Sequence, residues 1–355
     1  MNIKSVSHKG VSFTICSKLG QTEVNYLRSN FEFNHLNLGD HINKTEFPKI
    51  ESTKKHILIV LAFPNLGNGA VVTQQHEEED KNNKDPFKRL LNIPHKTLSH
   101  IHIPKFRSFT RKDRISTIYI DIFVGKDYIV VVNDADIPPI DHIFEICQRT
   151  MRGREEFLGQ GAGFLAYKII DALLDGYFPI VNAISSVIDR IDREIEKKQT
   201  PGTLEEISIT RRNIVVLHTM IKIMIPLFRR LRDGVYKELN GSLGSYWGNI
   251  LDHSESLLER VEDDRELIEG ISESNEFLLR TKSNEIMTTL TIVFTLTFPA
   301  SLLGTFYGMN ILLPGGIESG AWTFWGNFTT LYIIGGIAIL FMIVMILYFK
   351  HRRWF

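Results

Sequence analysis

The sequence predicts an α+β cytosolic domain followed by long helices and a two-helix transmembrane hairpin. Three observations lead there. Residues 286–349 hold one charged side chain, Glu318, although the 355-residue chain carries 41 basic and 41 acidic groups. Runs of β-branched residues bounded by turn residues cluster in the first 150 positions. From about residue 155 the apolar residues recur at helical spacing.

In chain order, residues 1–154 read as an α/β/α domain. Its strands are expected at Val11–Cys16, His56–Phe63, Ser116–Val124 and Asp127–Asn133. Gly125-Lys126 suits a tight hairpin between the last two. Gln21–Asn30 and Ile140–Met151 have helical character, and the polar stretch 74–114 reads as a mobile insertion. Residues 155–240 read as an antiparallel helix pair. Gly163–Lys198 carries Ile169, Leu173, Val181, Ile184, Ile188 and Ile195 on one face. Pro201-Gly202 breaks it, Thr203 and Glu206 suit a capping box, and the second helix runs to about Arg232. Residues 241–285 read as a stalk, the first part of one helix from about Ser245 to Tyr307. At 1.5 Å per residue that helix is about 95 Å long. Its narrow seam of Ile250, Leu257, Val261, Ile268, Ile271 and Leu278 suggests packing against copies of itself. The acids from Glu262 through Glu276, Asp264 among them, read as a solvated helix face.

Residues 286–307 and 328–349 are each long enough to cross a bilayer as helix, which takes about 20 residues. Pro299 is tolerable where neighbours satisfy the freed carbonyl. Arg280 and Lys282 precede the first span, and Lys350, Arg352 and Arg353 in the tail 350–355 follow the second. The loop 308–327 has no basic residue. The positive-inside rule therefore places both termini in the cytoplasm of a plasma (cell inner) membrane protein and the loop outside. Residues 1–10 lack the apolar core of a signal peptide. Cys16 and Cys147 have no CxxC context and read as reduced, small hydrophobes. His95, His100 and His102 fit no standard ligand spacing.

On the first span, Asn284, Met287, Leu290, Phe294, Phe298, Ser301 and Thr305 share one face. Around a central axis they would form a polar inner ring, apolar constrictions able to gate by dewetting, and hydroxyl rings further out. The alternative is that this stripe packs on the second span or on lipid. Just beyond stand Tyr307, Gly308, Met309 and Asn310. Mg2+ gives up its water reluctantly, so selecting it calls for neutral oxygen acceptors around a hydrated ion. Asn310 side-chain oxygens and Gly308 carbonyls supply them. Gly308 also permits a turn that a β-carbon would oppose.

With these residues in place, the chain resembles the CorA family of divalent cation transporters. The likeness is carried by Ser283-Asn284-Glu285-Ile286-Met287 through the Gly308-Met309-Asn310 motif and by the basic tail. Ile170 to Phe178, Arg211-Arg212-Asn213, and Leu38-Gly39-Asp40 with Pro48-Lys49-Ile50-Glu51 extend it toward the N-terminus. The resemblance implies a homopentamer with a cytosolic funnel and two spans per subunit. It implies Mg2+ transport, often with Co2+ and Ni2+, down the electrochemical gradient without ATP. Met309 in the triplet favours Mg2+ over the zinc-transporting branch.

The same resemblance implies sensing of cytosolic Mg2+ by acids at subunit interfaces. Asp40 matches one such position, while its stalk partner falls at Asn249, with Asp252 one turn later. The loop departs from the usual Met-Pro-Glu-Leu and reads Leu312-Leu313-Pro314-Gly315-Gly316. Lys350, Arg352 and Arg353 would form a basic collar. The sequence has no phosphate-binding glycine loop, nucleophile-base pair or zinc spacing. An enzyme is therefore not expected, nor are ATP, nucleic acid or a resident cofactor; Mg2+ enters as substrate and regulatory ligand. The expected partners are divalent cations, further copies of the chain and the lipid bilayer. Two alternatives remain open: a Zn2+ or other transition-metal transporter of the same fold, and a non-conducting membrane-anchored sensor.

Overall fold

The computed structural model describes residues 2–31, 33, 39, 41, 47–66, 113–197, 201–236, 239, 243–308 and 329–351. The chain forms two units, Met1–Ser272 and Glu273–Phe355.

In the first unit six strands make one sheet: β1 (Ile3–His8), β2 (Val11–Ser17), β3 (Lys49–Ser52), β4 (His56–Asn65), β5 (Ser116–Gly125) and β6 (Tyr128–Asn133). Their order is β1-β2-β6-β5-β4-β3, with β2 and β6 parallel and every other pair antiparallel. The four strands expected from sequence are present within two residues at each end. β1 and β3 are additional and form the edges. α1 (Gln21–Phe31) covers one face, where Val24 and Leu27 meet Leu58, Val60, Phe123, Val130 and Val132. The expected insertion 74–114 lies almost wholly outside the described residues.

The other face packs on α2 (Pro138–Arg149), α3 (Met151–Leu158), α4 (Ala162–Asp175), α5 (Tyr177–Lys197) and α6 (Pro201–Arg232). The helix expected across 163–198 is therefore two helices, parted at Gly176. A close approach accounts for the glycine: a β-carbon on Gly176 would lie 3.1 Å from Cζ of Phe63 and 3.1 Å from the Leu173 carbonyl oxygen. Next to it the Tyr177 hydroxyl donates to the Ala62 carbonyl at 2.7 Å, fixing the joint on β4. α5 and α6 double back on each other, and Arg190 donates to the buried Glu206 across the pair. α6 begins at Pro201, so Thr203 lies inside it and the expected capping box does not open it; Glu206 closes an ion pair instead. Cys16 and Cys147 are free and buried, and burial pushes both thiols up to about 12, as inert hydrophobes require.

α7 (Gly244–Gly308) is a single helix of 65 residues, unbroken by Gly270 or Pro299. Trp247 anchors its start. The indole is fully buried, donates to the Leu239 carbonyl at 3.2 Å, and meets the Tyr167 ring edge-on. Ile250, Leu257, Val261, Ile268 and Ile271, expected to face copies of the chain, are instead buried in the same core as α4, α5 and α6. Periodicity reported a covered face correctly; what covers it is the chain itself.

His56, at the start of β4, tests this core. It is 6% exposed, its ring nitrogens have no hydrogen-bond partner among the described residues, and Phe33 and Phe123 pack edge-on against it. Burial holds its pKa below the usual histidine value. A depressed histidine favours the neutral folded form. Its contribution is therefore intact at high pH and lost as pH falls through the unfolded value of about 6.5 toward the folded one. Thermal melts of the detergent-solubilised protein at pH 7.5 and 5.5 should show His56→Phe losing roughly 2–4 °C less than wild type. Equal losses would mean the ring is solvated or already charged.

Candidate ion pathway at the end of the long helix

The second unit holds the end of α7 and α8 (Thr329–His351). Both helices are long and apolar enough to cross a membrane. In both apolar stretches only 6% of the residues are buried, so these are not the core helices of a soluble fold.

One face of α7 is covered. Ile292 is buried, and Thr288, Thr295, Leu296, Pro299 and Leu303 are half-buried at steps of three, four and seven. Thr295, Pro299, Leu302 and Leu303 share a cavity of about 610 Å³ with Ile337, Ala338, Phe341 and Met345 of α8. The stripe read from sequence falls largely on the opposite side. Met287 and Leu290 are 58% and 47% exposed; Asn284, Ser301 and Thr305 are exposed as well. Phe294 and Phe298 are 63% and 66% exposed, and their rings also reach the edge of the cavity. Within one chain they therefore border both faces.

Thr305 adds a detail that sequence did not provide. Its hydroxyl donates to the Ser301 carbonyl at 2.8 Å. With its only proton turned back along the helix, it presents lone pairs outward, as an acceptor. Metal-bound water donates, so this orientation suits a hydrated cation.

Gly308 is the last residue of α7, exposed and helical, outside the left-handed region. Among the described residues, a β-carbon there would meet nothing within 4 Å. Gly308 itself is therefore helical, and packing among the described residues does not demand glycine there. Tyr307 lies in the last turn of α7, its side chain outside the described set; Met309, Asn310, Arg352 and Arg353 lie outside it too. Lys350 ends α8 beside His351. Of the expected regulatory residues, Asn249 and Asp252 are both exposed on α7 in the first unit, and Asp40 lies outside the described residues. Among the described residues no three His, Cys, Asp or Glu side chains gather as a metal site.

An unpredicted polar contact supports the sheet. Asn213 of α6 is fully buried; its carbonyl accepts from the Ile115 amide at 2.9 Å and its amide donates to the Asp113 carbonyl at 2.9 Å. It thereby clamps the entry to β5.

An α/β domain whose own long helix turns apolar, followed by a second apolar helix, defines a membrane protein with a large extramembrane domain. Residues 74–351 match the family described as CorA-like Mg2+ transporter protein. The chain belongs to that family. YfjQ of Bacillus subtilis (strain 168), described as a candidate metal ion transporter, is 29% identical over 245 residues, covering 69% of this chain and 73% of YfjQ. The cobalt/magnesium transport protein CorA of Thermotoga maritima is 28% identical over 197 residues, covering 54% of this chain and 53% of that protein. The complete structure of the CorA magnesium transporter from Methanocaldococcus jannaschii has the same fold, with a TM-score of 0.70 at 15% identity over 99% of this chain and 94% of that one.

Proposed function

We propose that this chain forms a homopentameric, channel-like pathway for passive, potential-driven influx of Mg2+, with Co2+ and Ni2+ as further cargo. The observation that carries the reading is the uncovered stripe on α7, which ends at Gly308 and leads directly into Met309-Asn310. Five such stripes around an axis give apolar constrictions at Met287, Leu290, Phe294 and Phe298, and acceptors at Ser301 and Thr305. The Gly308, Met309 and Asn310 loop, flanked by Tyr307, selects the hydrated ion at the outer mouth. Phe277, Leu278 and Leu279 are exposed on α7 and give the copies an apolar surface on which to associate. On α8, exposed Ile339, Leu340, Ile343 and Leu347 meet lipid.

Both termini lie in the cytoplasm, and Lys350, Arg352 and Arg353 form a basic collar at the inner end. Cytosolic Mg2+ closes the path by bridging acids between neighbouring subunits, with Asp40 on one side and Asn249 or Asp252 on the other. In proteoliposomes with a negative interior, the wild type should admit Mg2+ without nucleotide. Absence of uptake in particles with five subunits would refute the reading. Zn2+ uptake that Mg2+ does not compete for would move the protein to a transition-metal cargo.

A further inference from the structure

Asp121 is an acid in an apolar setting. It stands on β5 two residues before Phe123, with Val60 and Val132 opposite it on the neighbouring strands. Those three residues belong to the core under α1, and Asp121 is 1% exposed. A carboxylate is costly there unless a donor meets it. His41 stands at that position: its Nδ1 is 3.3 Å from Asp121 Oδ2. The ring is itself buried, and its Nε2 is 3.4 Å from Oδ1 of Asp134, just past the end of β6.

One imidazole is thus set between two carboxylates, one on β5 and one following β6. The sheet is already registered by main-chain pairing and apolar side chains on both sides of Asp121. A buried pair of this kind is no more stable than well-packed apolar residues of the same size. What it supplies is a fixed position for one point of the chain between α1 and β3. That point is the residue directly after Asp40.

We propose that His41 and Asp121 are positioning residues for the regulatory acid Asp40. The placement rests on the role proposed above, in which Asp40 takes part in binding cytosolic Mg2+. Consecutive Cα atoms are about 3.8 Å apart, so a tether at His41 limits where the chain delivers its neighbour. With the tether, part of the ordering of this segment is complete before the ion arrives. Without it, Mg2+ must order one more residue, which weakens its binding about tenfold.

The test is the free Mg2+ concentration that half-protects the full-length, detergent-solubilised protein against protease. His41→Leu keeps the bulk and removes the donor; it should raise this midpoint about tenfold, and Asp121→Leu should raise it as much. The double variant should go no further than either, because both remove one contact. His41→Asn, whose amide offers a donor near the place of Nδ1, should restore the wild-type midpoint. Asn213→Ala weakens the same unit at another place and should leave the midpoint unmoved. A midpoint that moves in Asp40→Ala but in neither leucine variant, or an equal shift in Asn213→Ala, would overturn the tether and leave the role of Asp40 standing. A midpoint unmoved in Asp40→Ala would reject both. Should His41→Leu not fold, because it strands the Asp121 carboxylate, Asp121→Leu decides, since it leaves no buried charge behind.

Discussion

Replacing Asn310 by alanine should reduce Mg2+ uptake into proteoliposomes at least tenfold while leaving the particle assembled. The argument is electrostatic. A hydrated Mg2+ offers outward-pointing water protons, and each copy of Asn310 offers a neutral carbonyl oxygen. A ring of such acceptors replaces bulk water at little dehydration cost, and alanine offers none. Losing about 1.4 kcal/mol of ion stabilisation is a tenfold effect, roughly one net hydrogen bond. Gly308→Ala is the companion variant. Its β-carbon meets nothing among the described residues, and alanine is the better helix former, so the fold should be unharmed. Any loss of flux in Gly308→Ala would then come from the mouth formed between copies. Full uptake by Asn310→Ala would remove the loop from the mechanism.

Asn213→Ala should destabilise the soluble unit by about 3 kcal/mol, read as a lowered midpoint in chemical or thermal unfolding. Alanine leaves two main-chain groups, the Ile115 amide and the Asp113 carbonyl, without the partner that now satisfies them. A buried unsatisfied group costs about 1–3 kcal/mol. The loss should appear in unfolding rather than in ion selectivity, since Asn213 belongs to the first unit and the spans to the second. A change below about 1 kcal/mol would mean that water reaches the start of β5 and replaces the amide.

Most of the scaffold was legible because strong patterns report strong constraints. β4, β5 and β6 are apolar runs buried on both faces, and their sequences leave little room for another reading. The elements overlooked are those whose burial is partial. β1 reads Ile-Lys-Ser-Val-Ser-His and β3 is four residues long; as edge strands they need few apolar side chains. α3, Met-Arg-Gly-Arg-Glu-Glu-Phe-Leu, buries only one end and looks like a loop. The break at Gly176 was hidden because apolar spacing runs through it, and only the Phe63 ring explains the glycine.

The exposed stripe on α7 was legible in a different way. The stripe from Asn284 to Thr305 follows from helical geometry, and the structure leaves it uncovered. The orientation of Thr305 and the role of Asn213 depend on where one proton or one carbonyl points, which no spacing encodes. The stalk seam shows the limit most clearly. A periodic apolar face announces that something covers it, and Ile250 and Val261 are buried in a core built with earlier helices of the same chain.

β4 and β5 pair over ten positions in register, from His56 opposite Gly125 to Asn65 opposite Ser116, yet residues 66–115 separate them. Loop closure grows only as the logarithm of length, by about 0.6 kcal/mol per doubling. Set beside an ordinary four-residue hairpin, this fifty-residue excursion adds about 2 kcal/mol of closure entropy. β4 lies second from the sheet edge and is buried along almost its whole length, and β5 is buried from Ile120 to Val124. Natural variation can therefore lengthen, shorten or recompose the excursion at small thermodynamic cost. The heavier burden is kinetic, because a distant pairing must form before its contacts reward it.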